Sequence, residues 1–336
     1  MPHLFILAII ALYKSKYIPG EIRLENFIYS INATLPIFAM MILGKFLVKT
    51  KIINENFAKA ADKFVFYAAL PALVFRDLSE ADVSHGFDGK FVLFCAITTT
   101  VVILSIWGLT EIFMKDDSMK GAFIQASYRS SAAILGLAFI DNMFHGAGMA
   151  PLMIIGAVPL FNIFAVVILT LKGDNGGKKP DLKSAFTGII KNPILIGIVV
   201  SLPFCFFDIS LPAFLQKTVN HLAGTATPLA LISIGATFEG RKAIRKIKPT
   251  AIATFIKLFL LAALFLPVAI LLGFRNQELV AALIMLASPA TPSCYIMVKN
   301  TNNDAVLTSS IIVLTTLLSS VSLTFWIYLL RTLGYI

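Results

Sequence analysis

The stretch "FIQASYRSSAAILGLAF" (residues 123–139) places Arg129 in the middle of a segment that, apart from Gln125 and Tyr128, consists of apolar or small residues. If this segment crosses a membrane, a permanent charge at its centre costs about 2.5–3.5 kcal/mol on insertion scales. Serines and Gly136 accompany the arginine, and residues of these types hold a helix only weakly. The stretch therefore predicts an interrupted helix that carries a charge with a specific role.

The composition of the whole chain indicates a membrane protein. Its 336 residues are 58% hydrophobic and 14% charged, with a mean hydropathy of +0.86. Soluble domains have about 45–50% apolar and about 25% charged residues. Cys95, Cys205 and Cys294 lie in apolar runs without metal-binding spacing, and we interpret them as packed side chains.

Apolar runs between polar breaks predict ten membrane-spanning helices, since each span needs roughly 20 mainly apolar residues. The run "LFILAIIALY" (4–13) is too short to cross and lacks the basic leader and cleavage site of a signal peptide. We interpret residues 1–26 as an N-terminal extension or interfacial helix. The predicted spans are 27–48, 57–76, 90–113, 119–140, 147–171, 185–206, 211–238, 249–273, 278–298 and 304–330.

Basic residues gather in alternate loops, namely those after spans one, five and seven. Short loops rich in lysine and arginine stay in the cytoplasm. The pattern predicts a multi-pass protein of the cell membrane with cytoplasmic basic loops and both ends of the ten-helix body outside. The net charge of +10 is thus a topology signal, and no nucleic acid partner is expected.

The segment "KGDNGGKKPDLKS" (172–184) divides the spans into two sets of five, and we interpret it as a cytoplasmic basic linker. Because five is odd, the second set must enter the membrane from the opposite side. The predicted fold class is an all-α integral membrane protein of ten transmembrane helices. These form two inverted five-helix repeats, residues 27–171 and 185–331, as in many transporters.

Span nine contains a second interruption, in "LIMLASPATPSCYIMV" (283–298). Each of its two prolines removes a backbone donor and clashes with the preceding turn. Interruptions in corresponding spans of two repeats indicate broken helices four and nine that cross at a substrate site, although separate harmless kinks are the alternative. The candidate substrate-binding residues are Arg129, Ser130, Ser131, Asn162, Pro289, Thr291, Pro292 and Ser293.

Arg129 indicates the charge of the substrate. No acidic residue is expected in the middle of any span, so its partners would be carbonyls, hydroxyls, water or an incoming anion. Half-helix N-termini also favour negative ligands, and a guanidinium binds a carboxylate bidentately. The sequence thus predicts a small organic anion; an arginine that only braces the crossing is the alternative.

Two other polar residues in the spans are weaker signals. His221 is a candidate for carrying a coupling proton because its ordinary pKa lies near neutrality, with a hydrogen-bonded packing histidine as the alternative. Lys257 is expected to extend its side chain to the cytoplasmic face.

Three classes of function follow from these features. The first is a secondary active transporter or facilitator for a small organic anion, and the second is a cation or proton exchanger or a sodium-coupled symporter on the same fold. The third, a membrane hydrolase, lacks an HExxH motif and a pair of membrane aspartates. Without GxxxxGK[ST], ATP does not drive the protein directly. No cofactor, metal ligand or catalytic residue is predicted, and H⁺ or Na⁺ coupling and a homodimer are left open.

Six stretches resemble a known family in the family's order. They are "ALPALVF" (69–75), "YRSSAAILGLAF" (128–139), "VPLFNIFAVVIL" (158–169), "KNPILIGIV" (191–199), "TATPLALISIGATF" (225–238) and "ASPATPSCYIMVK" (287–299). They resemble the auxin efflux carrier family, which includes plant PIN-type carriers and bacterial organic-acid permeases within the bile acid:sodium symporter-like superfamily. The resemblance implies a scaffold domain, a mobile transport domain, an elevator-like movement and anionic substrates such as auxin or dicarboxylates.

The sequence departs from the plant carriers in this resemblance. Where many members have an asparagine followed by Gly-x-Pro in span four, this chain has Ser131 and Gly136-Leu137-Ala138. An acidic residue of span three and a lysine of the span-nine crossing correspond here to Thr98 and Ala290. The comparison favours a bacterial organic-acid carrier over a hormone exporter.

Overall fold

The computed structural model describes residues 20–80, 88–132, 140, 143–144, 149–173, 182–207 and 209–336, and its regular elements are helices. The first half contains α1 (Gly20–Lys49), α2 (Glu55–Phe64), α3 (Leu70–Ser79), α4 (Gly89–Phe113), α5 (Asp117–Tyr128) and α6 (Ala150–Lys172). The second half contains α7 (Leu182–Ile190), α8 (Pro193–Phe207), α9 (Ala213–Gly224), α10 (Ala226–Thr237), α11 (Gly240–Arg245), α12 (Ile247–Phe255), α13 (Leu261–Leu271), α14 (Asn276–Ala287), α15 (Ser293–Asn300) and α16 (Ala305–Thr332).

Several helices present apolar side chains to the outside, as a protein dissolved in lipid does. On α4, the exposed Leu93, Ile97, Val101 and Leu104 follow one face of the helix. Among the described residues, four stretches are long and apolar enough to cross a membrane: α4, α6, the continuous stretch Ile247–Leu271 and α16. With the shorter apolar helices, they show an all-α integral membrane protein.

The helix bounds differ from several boundaries drawn on the sequence. Helix α1 begins at Gly20, so the boundary drawn after residue 26 falls inside a helix. Helix α7 begins at Leu182, inside the predicted linker 172–184, and a break at residues 191–192 separates it from α8. Predicted span seven is divided at Thr225 into α9 and α10. The N-terminal run 4–13, Gly136 and most of the linker lie outside the described residues.

The helices pack as two groups. Group one consists of α1, α2, α3, α8, α9 and α10, in which α1 packs on α10 and α3 packs on α8 and α9. Group two consists of α4, α5, α6, α12, α13, α14, α15 and α16, in which α4 packs on α6 and α12 packs on α16. The groups meet where α16 contacts α1 and where α15 contacts α2 and α10.

Glycines allow close approach inside group one. A Cβ on Gly44 of α1 would collide with the carbonyl of Ile232, and one on Gly235 of α10 with the carbonyl of Met41. A Cβ on Gly197 of α8 would lie 2.8 Å from the carbonyl oxygen of Pro71. The α1–α10 and α3–α8 pairs therefore pack backbone against backbone.

Helix α5 is fixed at its first turn by an ion-pair cluster. The Lys120 ammonium lies 2.6 Å from the Asp117 carboxylate and 3.1 Å from that of Glu111 on α4, which also pairs with Lys172 of α6. The hydrogen bond from Lys120 lowers the pKa of Asp117 below its ordinary value. The cluster ties α5 to its two neighbours at the end remote from Arg129.

Candidate functional site

Two helices end at the same place, and their irregular backbones meet. Helix α5 ends at Tyr128, and residues 288–292 separate α14 from α15. The Ser131 amide donates a hydrogen bond to the Pro289 carbonyl at 3.0 Å. The Ala290 amide donates to the Thr315 hydroxyl at 3.2 Å. Span nine is thus broken as predicted, and a backbone bond joins it to the end of the first half of span four.

Arg129 lies directly after α5 and is 6% exposed. Its Nη2 donates to Asn162 Oδ1 at 2.7 Å, and its Nη1 contacts the Phe161 carbonyl at 3.4 Å and Met297 Sδ at 3.5 Å. A guanidinium has five N–H donors, so these three contacts leave two without an acceptor among the described residues. All three acceptors are neutral. The positive charge is therefore oriented but not neutralised.

Asn162 holds this arrangement from α6. Its Nδ2 donates to the Val158 carbonyl at 2.9 Å, so its Oδ1 is left to face Arg129. The side chain is fully buried. Asn162 thus serves as the orienting acceptor for Arg129, a role that the sequence did not predict; its role in substrate binding stays a prediction.

A cavity of about 50 Å³ adjoins Arg129. The α15 N-terminus contributes Ser293 to its wall, and unpaired N–H groups at a helix N-terminus favour negative charge. A space of this size accommodates a carboxylate group or a few water molecules. The lining residues are Leu70, Leu73, Val74, Asp77, Arg129, Ser130, Ser131, Ala132, Val158, Phe161, Asn162, Thr291 and Ser293.

Asp77 is an unexpected member of this wall. The sequence places it in a loop after span two, but it belongs to α3, and its side chain is 9% exposed. Arg76 pairs with it, with Nη2 at 2.8 Å and Nε at 3.2 Å from Oδ1. The Asp77 charge is therefore compensated by its own neighbour, and no contact with Arg129 is found among the described side chains.

Lys257 is a second unexpected residue at the crossing. The prediction that it extends to the cytoplasmic face is wrong, since it is completely buried in a π-helical turn, Ile256–Leu260, between α12 and α13. Its Nζ donates to the Leu286 carbonyl at 2.7 Å and to the Ser130 hydroxyl. The sequence shows a lysine inside an apolar span, but it does not predict the widened π-helical turn that directs this side chain into the protein.

The predicted residues divide by position. Arg129, Ser130, Ser131, Asn162, Thr291 and Ser293 line the cavity, whereas Pro289 and Pro292 form the backbone of the crossing. His221 is exposed on α9 and does not line the cavity that the described residues form, so its coupling role stays a prediction.

A buried carboxylate also lies away from the cavity, at the other end of α15. Asp62 of α2 is 3% exposed, and its carboxylate lies 2.6 Å from Lys299 Nζ and 2.5 Å from the donating Ser233 hydroxyl. Lys299 also donates to the Tyr295 hydroxyl, which shares a 2.7 Å hydrogen bond with Thr237. The sequence expectation concerned the middle of each span, and Asp62 lies near the start of predicted span two, where its burial was not foreseen.

The family of the chain follows from comparison with known proteins. Residues 29–327 match the family model described as "Membrane transport protein". The chain belongs to this family. The resemblance to the auxin efflux carrier family is thereby confirmed, and the protein is a membrane transporter of that family.

Relatives of this transporter family cover nearly the whole chain. An uncharacterized transporter of Methanocaldococcus jannaschii is 23% identical over 89% of this chain and 98% of its own. The "Putative malonate transporter" of Rhizobium meliloti is 26% identical over 89% of this chain and 95% of its own. An uncharacterized transporter of Escherichia coli K12 is 23% identical over 90% of this chain and 98% of its own.

Proposed function

We propose that this transporter moves a small organic anion with a carboxylate group, as a secondary active carrier or facilitator. The observation that carries the proposal is Arg129, a buried guanidinium at the cavity wall whose contacts among the described residues are all neutral. A buried charge is stable only with a compensating partner. An incoming carboxylate supplies that partner and also faces the α15 N-terminus.

The Rhizobium meliloti relative supports the same substrate class, because its name refers to malonate, a dicarboxylate. The alternative, a cation exchanger, has one acidic group available in the described cavity wall, Asp77. Arg76 already pairs with that group. The cavity therefore favours an anion.

The proposal includes two inverted repeats and an elevator-like movement of group two against group one. The packing supports this reading, since an inverted repeat exchanges span one with six and span two with seven. The contact between spans one and seven (α1–α10) thus has its counterpart in the contact between spans six and two (α8–α3). In the same way, the contact between spans three and four (α4–α5) corresponds to that between spans eight and nine (α13–α14). The alternation of basic loops supports a multi-pass topology with cytoplasmic basic loops.

Binding by purified protein tests the proposal. Thermal unfolding and calorimetry would compare wild type and Arg129→Gln against a panel of mono- and dicarboxylates that includes malonate. We expect one of these to bind wild type and to lose about 100-fold in affinity in the variant, since a bidentate pair of charged hydrogen bonds is removed.

Two controls make the result specific. Arg331→Gln removes an exposed arginine and should leave the affinity unchanged. Malonamide has the shape of malonate without its charge and should not bind. Equal carboxylate affinity in wild type and Arg129→Gln would refute the anion site and leave Arg129 as a brace of the crossing.

A further inference from the structure

Helix α14 ends at the crossing with carbonyl groups that its own backbone does not satisfy. The last four carbonyls of any helix lack intrahelical partners, and their dipoles give the C-terminus about half a negative charge. In α14 the Met285 carbonyl accepts a hydrogen bond from the Ser130 hydroxyl, and the Leu286 carbonyl accepts from Lys257. Both partners come from other segments of the chain.

The Lys257 side chain is surrounded by oxygen acceptors and by apolar groups. Its Nζ is completely buried, and its contacts are the Leu286 carbonyl and the Ser130 hydroxyl. No carboxylate contacts it within the part of the chain that the structure describes. Its electrostatic partner is instead the negative end of α14.

The two oxygen partners of Lys257, a backbone carbonyl and a hydroxyl, are of types that also bind metal cations. Broken helices of transporters commonly use half-helix C-termini and unwound carbonyls to coordinate Na⁺ or H⁺. Hard oxygen ligands of this kind suit small inorganic cations. Here a carbonyl at a half-helix C-terminus and a serine hydroxyl bind an ammonium group that belongs to the chain itself.

We propose that Lys257 is a resident cation that takes the place of a bound metal cation and holds the crossing together. Its ammonium fixes the end of α14 against Ser130, which adjoins Arg129 and lines the cavity. Lys257 is thus a positioning residue for the anion site, and the site assembles without Na⁺. The positioning role of Lys257 for the anion site rests on the proposed function, whereas its role in holding the end of α14 against Ser130 does not.

Exchange of the salt tests the inference on wild type. Thermal midpoint and carboxylate affinity would be measured in NaCl, KCl and choline chloride at equal ionic strength. We expect the midpoint to be the same in all three and the affinity to agree within about twofold. A wild-type midpoint or affinity that rises selectively with Na⁺ overturns the inference, because it requires a metal site that Lys257 does not replace.

Substitution of Lys257 provides the second arm. Lys257→Ala leaves a space in which a small cation can bind, so its thermal midpoint should fall and should recover with methylammonium or Na⁺, to which wild type does not respond. Lys257→Met fills the same space without a charge or donor, and its lowered midpoint should not recover. A Lys257→Ala midpoint that is equal in all salts overturns the inference.

Lys257→Met keeps the inference testable if Lys257→Ala does not fold. Its carboxylate affinity should fall about 10- to 100-fold, the effect of losing one hydrogen bond to a charged group. Normal affinity in Lys257→Met overturns the positioning role. If wild type binds no carboxylate, the proposed function fails, and the salt dependence of the thermal midpoints still decides the role of Lys257. Lys217→Ala, which truncates an exposed lysine of α9, is the control that methylammonium should not rescue.

Discussion

Asn162 fixes the direction in which Arg129 points, because its amide is held at both ends. The Nδ2 group is bound to the Val158 carbonyl, and Oδ1 accepts from Arg129 at 2.7 Å. Substitution here changes the electrostatics of the site with little change in shape.

Asn162→Asp replaces this neutral acceptor by a carboxylate of nearly the same size. The new charge pairs with Arg129 and competes with an incoming anion, so we expect carboxylate affinity to fall by at least about tenfold. The thermal midpoint should change little, since the buried cation gains a charged partner while the hydrogen bond to the Val158 carbonyl is lost. Calorimetry and thermal unfolding of the same sample measure both effects.

Asn162→Ala is the matched control for this substitution. It removes the orienting acceptor without adding a charge, so both affinity and thermal midpoint should decrease. If Asn162→Asp binds the carboxylate as wild type does, Arg129 is not the anion-binding group.

The sequence was sufficient to identify the residues whose chemistry is local. Arg129 was recognisable as a charge within an apolar run, and Pro289 and Pro292 as positions that cannot continue a helix. The orientation of Lys257 was not predictable, because a single π-helical turn redirects the side chains of an otherwise regular apolar helix. Asp77 was missed because α3 extends beyond the last strongly apolar residue.

At the scale of elements, the helix pair α1–α10 depends on two glycines. A side chain on Gly235 would meet the Met41 carbonyl, which is backbone and cannot rotate away. The same holds for Gly44 against Ile232. The pair therefore tolerates no added volume at these contacts.

Gly235→Ala should destabilise the protein by about 1–3 kcal/mol through overpacking. Gly224→Ala is a matched control, since no atom lies within 4 Å of the position of its added Cβ. Thermal unfolding in detergent should show a clear decrease for the first variant and little change for the second. Equal midpoints would mean that α1 and α10 separate at little cost.

Helix bounds were predictable where apolar runs end in charges, as at α4 and α16. They were not predictable where helices are joined end to end without a polar break. The junction of α9 and α10 at Thr225 is an example, because no Lys, Arg, Asp or Glu lies within five residues of it. The contact between Ser131 and Pro289 was also beyond sequence pattern, since it depends on how distant segments are brought together.

Across the whole molecule, the Asp62–Lys299 pair joins the two groups of helices. Asp62, Ser233 and Thr237 belong to group one, whereas Tyr295 and Lys299 belong to α15 in group two. An elevator-like movement of group two would have to separate these partners. The network therefore favours the arrangement in which it is formed.

Lys299→Met should destabilise this arrangement by about 1–3 kcal/mol, because the Asp62 carboxylate stays buried and loses its cationic partner. The cost is limited because water can reach the partly exposed position of the Lys299 side chain. Asp62→Asn together with Lys299→Met should restore part of the loss. The neutral double variant should also change the rate of carboxylate exchange in proteoliposomes. Thermal unfolding and the exchange assay measure the two effects.

Lys246→Met offers a control with similar burial. Lys246 pairs with Asp304, and the two side chains are 29% and 8% exposed, against 26% and 4% for Lys299 and Asp62. Lys246 lies between α11 and α12, and Asp304 directly precedes α16, so this pair does not connect group two to group one. Lys246→Met should therefore lower the thermal midpoint but leave the rate of carboxylate exchange unchanged. Equal exchange rates in all variants would show that separation of Asp62 and Lys299 does not limit movement.

The burial of Cys294 has a practical consequence. This free thiol follows Ser293 in the first turn of α15 and is inaccessible in the present arrangement, as are the free thiols of Cys95 and Cys205. With the other two replaced by alanine, a membrane-permeant maleimide could modify the chain only when the crossing opens. The rate of alkylation then reports the frequency of that opening, so the protein carries its own chemical probe where the end of α5 meets the break between α14 and α15.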